Sequence, residues 1–165
     1  MRVRGVSGML PGLAAAIGFA VAACEVVAQD CNLPSGAMSE MTVLFDRVNA
    51  DRIGRGLDPL RMSAPLTIAA QLYACKLAAQ GAAASPHPAQ AYIEIRSAGC
   101  RPGVYDDAVT FGPVTAADLL TAAERQVDWR RAALSPRMGE VGLGIAVSPE
   151  AAPRTIWVMT VASGC

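Results

Sequence analysis

Apolar residues recur at helical spacing through most of the chain and at alternate positions near its end. The first helical pattern follows Ser39, a residue type that caps helices, and is ended by Gly54 and Gly56. Its inward stripe consists of Met41, Leu44, Phe45 and Val48. This pattern predicts an amphipathic helix that packs one face on a core.

Three further helices are predicted. The second begins near Pro65, after Ser63 or Ala64, and stops at Gly81. The third covers roughly 88–98, and the fourth begins after Thr115, a good N-cap. The expected buried positions are Leu66, Ala69, Ala70, Tyr73 and Leu77 in the second helix, Tyr92, Ile93 and Ile95 in the third, and Leu119, Leu120 and Ala123 in the fourth. The stretches 81–88 and 100–114 are interpreted as loop and irregular chain.

The last third changes to an alternating pattern, which is typical of strands. Apolar residues alternate over 141–147 and again over 157–161, across the turn "SPEAAPR", and predict an antiparallel hairpin. Between the apolar positions of the first strand stand Gly142, Gly144 and Ala146, whose small side chains let another layer approach closely. Helices and a hairpin that share one core indicate an α+β layered fold.

The first stretch has the pattern of an export signal. "MRVR" is basic, and "GLAAAIGFAVAA" (12–23) is apolar but too short to span a bilayer. Two processing sites fit: after Ala28, which leaves 29–165 as a single domain and 1–28 as the signal, or before Cys24, which would then be lipidated and leave 1–23 as the signal. Either site predicts a periplasmic or extracellular domain, with Cys24 as its possible lipid anchor.

Four cysteines remain in the folded part, an even number in a chain sent to an oxidising compartment. They are Cys31, Cys75, Cys100 and Cys165. Two disulfides are expected, with free buried thiols as the alternative. Of the three possible pairings we favour Cys31 with Cys75 and Cys100 with Cys165, because each bond then ties one chain end to the body.

Charge excludes one class of partner. The full chain has 14 basic and 14 acidic residues, so no strong field attracts nucleic acid or an anionic membrane surface. We therefore expect no nucleic-acid partner, and membrane contact only through an anchor at Cys24.

Several motifs of the chain resemble those of a known protein family. "LFDRVNADRIGRGLDPL", the Ala-rich second helix that leads to "SPH", then "IRSAGC", "GEVGLGIAV" and "TIWVMTVA" stand in an order similar to that of the CAP superfamily of cysteine-rich secretory, antigen 5 and pathogenesis-related proteins. The resemblance covers about 44–162. It implies a three-layer α-β-α sandwich with a central antiparallel sheet and a cleft where two His and two acidic residues meet, which in some members binds a divalent metal.

The family positions map onto four residues here. His87, the only histidine, falls on the first family His, and Glu140 on the acid that opens the penultimate strand; both are candidates for the cleft and weak candidates for a metal. Asp107 stands where the family has Glu, and its side chain is one methylene shorter. Trp129 stands where the second His is expected, and it is interpreted either as a core residue or as a ligand platform.

These substitutions weaken the case for catalysis. One imidazole with up to two carboxylates would hold a divalent metal weakly, and no serine lies in a nucleophile-elbow motif, so neither a cofactor nor a catalytic residue is assigned. The sequence favours a non-enzymatic module that binds a small apolar or glycan-like ligand or an envelope protein. The alternatives are a weak metal-assisted envelope hydrolase using His87 and Glu140, and a disulfide-stapled structural lipoprotein.

Overall fold

A computed structural model describes residues 31–150 and 152–165 of the chain. The elements run in the order α1 (Ala37–Gly54), β1 (Arg61–Met62), α2 (Ala64–Gln80), α3 (Pro88–Ser97), β2 (Val104–Phe111), α4 (Ala116–Ala123), α5 (Val127–Leu134), β3 (Glu140–Val147) and β4 (Thr155–Ser163). The predicted export signal and Cys24 lie outside the described residues. Within the described part, no helix is both long and apolar enough to cross a bilayer.

The helix α1 starts two residues before the predicted cap. Gly36, in the left-handed region at φ 76°, precedes its first residue, so Ser39 lies inside the first turn and the N-cap prediction was wrong. Only a glycine adopts this backbone at little cost, which explains why the helix starts there. Leu44 and Val48 are buried as predicted.

The helix α2 agrees closely with its pattern. It follows Ser63, carries Pro65 in its first turn and is ended by the C-cap Gly81, whose φ of 57° suits glycine. Its five predicted stripe residues are all buried. A short 3₁₀ turn, Gly81–Ala83, then leads into the expected loop.

The inward face of α3 was predicted only in part. Ile95 is fully buried, but Tyr92 and Ile93 are 37% and 51% exposed. Tyr92 instead stacks its ring on Tyr105 of β2, with the centroids 5.2 Å apart. The prediction failed because the sheet edge offers an aromatic partner outside the core.

Residues 100–114 contain a strand, and the prediction of irregular chain was wrong. Strand β2 pairs with β4 along eight residues, from Val104 opposite Ser163 to Phe111 opposite Ile156. Asp106 and Asp107 in its middle weaken the local strand pattern. Strand β2 therefore forms because it pairs with β4, and its local sequence pattern does not predict it.

Thr115 caps α4 as predicted, and its hydroxyl accepts the N–H of Asp118. Leu119 and Ala123 are buried. The structure adds α5, which the apolar pattern does not separate from the preceding helix.

The predicted hairpin is present as β3 and β4, in a sheet of order β1-β3-β4-β2. The two-residue β1 runs parallel to β3, and the other pairs are antiparallel. Side chains alternate across the sheet: one face packs on α2 and α3, the other on α1, α4 and α5. The α+β fold is thus an α-β-α sandwich.

Glycines on β3 allow the sheet and α2 to touch backbone to backbone. A Cβ atom on Gly142 would lie 2.0 Å from the carbonyl carbon of Leu66, and one on Gly144 would lie 2.4 Å from that of Ala70. No side chain fits at these distances. The close approach predicted from the small-residue face is confirmed.

Both predicted disulfides are present: Cys31 is bonded to Cys75, and Cys100 to Cys165. The first holds the incoming chain against the free edge of β3, where the N–H of Val147 donates to the carbonyl of Asn32. Beside it the amide of Gln71 donates to and accepts from the backbone of Ile145, much as a neighbouring strand would. This arrangement covers an edge that β1 is too short to pair.

Candidate functional site

His87 stands at the start of α3, where both its backbone and its ring are engaged. Its N–H donates to the hydroxyl of Tyr73 at 2.7 Å, and that hydroxyl donates to the His87 carbonyl at 3.3 Å. The ring Nδ1 accepts the N–H of Ala89 at 3.2 Å, which caps the helix. In the neutral ring the proton therefore lies on Nε2, which is left as a donor on an exposed side chain.

The imidazole lines a concavity of about 360 Å³ between α2 and α3, which we call the α2–α3 concavity. Its polar lining residues are Tyr73, Lys76, Gln80, Ser85, His87 and Gln90. The Nζ of Lys76 lies 2.5 Å from Oε1 of Glu94, and the amide of Gln90 donates to the same oxygen. Because Glu94 is only 2% exposed, its charge is offset mainly by Lys76, and the wall of the concavity is close to neutral.

Asp107 lies on the same side of the sheet as His87. Its neighbours at alternate positions, Tyr105 and Val109, pack toward α2 and α3, so its side chain does too. Burial, and secondarily Asp106, raises the pKa of Asp107 to about 6, while Arg131 acts in the opposite direction. Burial also raises the pKa of Tyr73, and the carboxylate of Asp107 adds to this rise. The structure thus brings Asp107 toward the Tyr73 hydroxyl that holds His87.

Glu140 lies at the start of β3, where both of its carboxylate oxygens have partners. Its Oε2 accepts the N–H of Cys165 at 2.5 Å, and its Oε1 lies 3.6 Å from the guanidinium of Arg61. The carboxylate therefore links the first residue of β3 to the disulfide-bonded end of β4 and to β1. It does not line the α2–α3 concavity.

Trp129 is buried on the opposite side of the sheet, against α1 and α4. Its Nε1 donates to the hydroxyl of Thr110 at 2.6 Å, and that hydroxyl donates to the amide oxygen of Gln126 at 2.7 Å. The indole forms part of the wall of a second concavity, of about 620 Å³, between α1, α4 and α5. Its packing and its hydrogen bond match those of a core residue.

The four residues taken from the family pattern thus do not share one hollow. His87, Asp107 and Glu140 lie on one side of the sheet, and Trp129 lies on the other. Glu140 is held by Cys165 and Arg61 outside the α2–α3 concavity. Over residues 31–150 and 152–165, no three His, Cys, Asp or Glu side chains are placed to hold a metal ion. Beside His87 the concavity is lined by hydrogen-bond donors and acceptors and by Lys76, which is paired with Glu94.

Comparison of the chain with known proteins gives matches in structure only. No family sequence model matches it, and no curated protein matches it in sequence. The fold is similar to a cysteine-rich secretory protein from Staphylococcus aureus, with a TM-score of 0.63 and 12% identity over 77% of this chain. It is also similar to an extracellular protein containing a SCP domain from Bacillus anthracis, with a TM-score of 0.58 and 11% identity over 80% of this chain. SCP is another name for the CAP domain. The chain has the CAP fold.

A third CAP-fold neighbour is an outer surface protein from Borrelia burgdorferi, with a TM-score of 0.62 and 15% identity over 77% of this chain. This chain spans 94% of that protein, but only 39% of the S. aureus protein and 44% of the B. anthracis protein. At these identities the similarity establishes the CAP fold and leaves the function of the domain open.

The sequence patterns missed two groups of residues near the candidate positions of this CAP-fold domain. Beside His87, the buried Glu94 forms an ion pair with the partly exposed Lys76. Glu94 lies three residues after the buried Ala91 and just before Ile95, so an acid on the apolar stripe of a helix was the available signal. The residues of the Trp129 hydrogen-bond chain, Thr110 and Gln126, gave no such signal, because the sequence pattern did not predict β2.

Proposed function

We propose that this chain is an exported CAP-fold domain that binds a small, uncharged, hydroxyl-bearing ligand in the α2–α3 concavity and does not catalyse a reaction on it. The proposal rests on one observation: the residues taken from the family pattern do not meet in one site. His87 is fixed by Tyr73 and Ala89 beside a nearly neutral polar concavity, while Glu140 and Trp129 are engaged elsewhere.

Export is supported by the two disulfides, because such bonds persist in oxidising compartments. The three neighbours are described as secretory, extracellular and outer surface proteins, which agrees with export. The basic start and apolar run of 1–28 support it from the sequence.

The chemistry of the concavity supports a glycan-like ligand. Gln80 and Gln90 carry amides that can both donate and accept, Ser85 carries a hydroxyl, and His87 offers Nε2–H. Since Glu94 neutralises Lys76, neither an anion nor a cation gains much from this wall. Hydroxyl groups of a sugar match this set of donors and acceptors.

Titration with soluble N-acetylglucosamine oligomers, followed by amide NMR shifts, tests the proposal. We expect shifts confined to the end of α2 and the start of α3, and an affinity about two- to tenfold weaker in Gln80→Ala, because one neutral hydrogen bond is lost. Ser97→Ala, exposed at the far end of α3, is the matched control and should bind like the parent chain. Unchanged spectra, or shifts confined to other elements, would contradict the proposal.

A metal-assisted hydrolase is the alternative, and the half-buried Asp107 near Tyr73, with its pKa of about 6, is the feature that favours it. Zinc titration by calorimetry distinguishes the two. Stoichiometric heat that disappears in His87→Ala would favour the hydrolase, whereas the binding module should give no such heat.

The proposed export has its own test, the mass of the mature N-terminus. A chain that begins at Gln29 indicates a released domain, and a diacylated Cys24 indicates an anchored one, as the structural-lipoprotein alternative requires. An intact Met1 in chains recovered from the cytoplasm would contradict export.

A further inference from the structure

The outward side of α2 consists of apolar residues, and the Cys31–Cys75 disulfide lies across it between Leu72 and Ala79. At about 100° per residue, the positions that turn away from the sheet fall on one side of the helix. They are Ala64, Pro65, Ile68, Leu72 and Ala79, which we call the α2 outer face. Ile68 is 53% and Leu72 38% exposed.

The polar side chains of α2 lie on its flanks. Gln71 turns toward the backbone of Ile145 on β3, and Lys76 turns toward Glu94 on α3. The helix is therefore apolar on its inner and its outer side. Helices of this kind are normally covered on both sides, so the outer face is expected to meet a further apolar surface.

Cys31, the first residue that the structure describes, is bonded to this side of α2. The Cys31–Cys75 disulfide joins the chain to α2 one turn after Leu72 and one turn before Ala79, with the two Cα atoms 5.2 Å apart. Only six residues lie between Cys24 and Cys31, and the seven steps from one cysteine to the other span at most about 25 Å. A membrane to which this end was attached would therefore lie close to the α2 outer face.

The size of the face argues against a second copy of the chain as its main partner. Seventeen residues of helix are about 25 Å long and about 10 Å wide, so the open part of this face is at most about 250 Å². A stable protein interface needs about 800 Å² from each partner. A narrow apolar strip is sufficient for a helix that lies on a bilayer surface, where a few side chains enter the boundary of the acyl chains.

We propose that the α2 outer face rests on a lipid bilayer, with Ile68 and Leu72 inserted at the boundary between headgroups and acyl chains. The inference rests on the proposed export, which places the domain beside a membrane. The contact is apolar and holds the rim of the α2–α3 concavity near the membrane plane.

Partition into phosphatidylcholine vesicles tests the contact. The full chain is expressed with Cys24→Ala to exclude acylation, and the mass of its N-terminus is recorded. We expect the processed domain to bind these uncharged vesicles independently of NaCl concentration, and the double variant Ile68→Gln, Leu72→Gln to partition about tenfold less. Ile53→Gln with Ile93→Gln, which changes two somewhat more exposed side chains on α1 and α3, is the matched control and should partition like the parent.

A second readout follows the depth of insertion. The native Trp129 and Trp157 are buried, so they give a constant background. Leu72→Trp should shift its emission to the blue on addition of vesicles, and Ile53→Trp should not. Equal partition of parent and double variant, absence of binding, or a dimer in sedimentation that the double variant dissociates would overturn the proposal. The N-terminal mass reports on export separately, so failure of one inference is distinguishable from failure of the other.

Discussion

Arg52 places its guanidinium inside the core between α1 and the segment that follows α5. It donates to the backbone carbonyls of Asp58, Ala133, Ser135 and Met138. Burial lowers the pKa of this arginine from its usual value, while Asp58 acts in the opposite direction. Its charge is compensated by carbonyl dipoles, and it joins three segments that are far apart in sequence.

Arg52→Met should lower the free energy of unfolding by about 3 kcal/mol or more, because several carbonyls lose their donor inside the core. Urea unfolding measures the change. Arg47→Met, on the exposed side of the same helix, should stay within about 0.5 kcal/mol of the parent. A similar loss in both variants would indicate an effect of helix charge.

The raised pKa of Asp107 predicts how the stability of the fold depends on pH. Its pKa is about 6 in the folded chain and 3.8 in the reference state, so the folded state retains the proton longer. Stability should therefore fall as pH rises from about 4 to 6. Asp107→Asn should remove this fall and raise the free energy of unfolding by about 1 to 2 kcal/mol at pH 7. A fully buried carboxyl would give a larger gain, but Asp107 keeps contact with water. Urea unfolding of both chains at pH 4 and pH 7 checks this prediction. Asp46→Asn, at an exposed position, is the control. If Asp107→Asn kept the pH dependence of the parent chain, the environment described for Asp107 would be wrong.

At the scale of elements, the contact between β3 and α2 allows little increase in side-chain size. The position of Gly144 leaves no room for a side chain, because Ala70 backbone atoms occupy the space. This contact fixes how α2 lies on the sheet, and with it the place of Tyr73 and the α2–α3 concavity.

Gly144→Val should cost roughly 1 to 3 kcal/mol or more, or prevent folding, because helix and sheet would have to separate. Thermal unfolding measures the loss. Gly139→Ala just before β3 meets open space and should change stability little. If Gly144→Val had the stability of the parent, the close contact would not exist in solution.

At the scale of the whole molecule, the disulfides close both ends of the domain. The first spans 44 residues and the second 65. Each is expected to contribute about 3 to 4 kcal/mol by restricting the unfolded chain. His87 and Glu140 are more exposed, and substitutions at such positions usually change stability less.

Reduction should therefore lower the melting temperature more than His87→Ala or Glu140→Ala does. Scanning calorimetry with and without dithiothreitol measures this difference. Cys31→Ala with Cys75→Ala isolates the first bond and should show part of the loss. A melting curve unmoved by reductant would contradict a stabilising role for both bonds.

The sequence by itself determined the parts of this protein whose signal is local. Helix α2 and the β3–β4 hairpin follow from spacing along the chain, and Gly142 and Gly144 follow from side-chain size. The disulfide pairing followed from two cysteines near the chain ends.

Only the tertiary structure decided the rest. Strand β2 exists because β4 pairs with it, and no local pattern records that partner. The same strand places Asp107 toward Tyr73 and Thr110 toward Trp129, on opposite faces, because side chains alternate across a sheet. The resemblance of motifs gave the order of the candidate residues along the chain, but the faces and partners that separate Trp129 and Glu140 from His87 depend on pairings between distant segments.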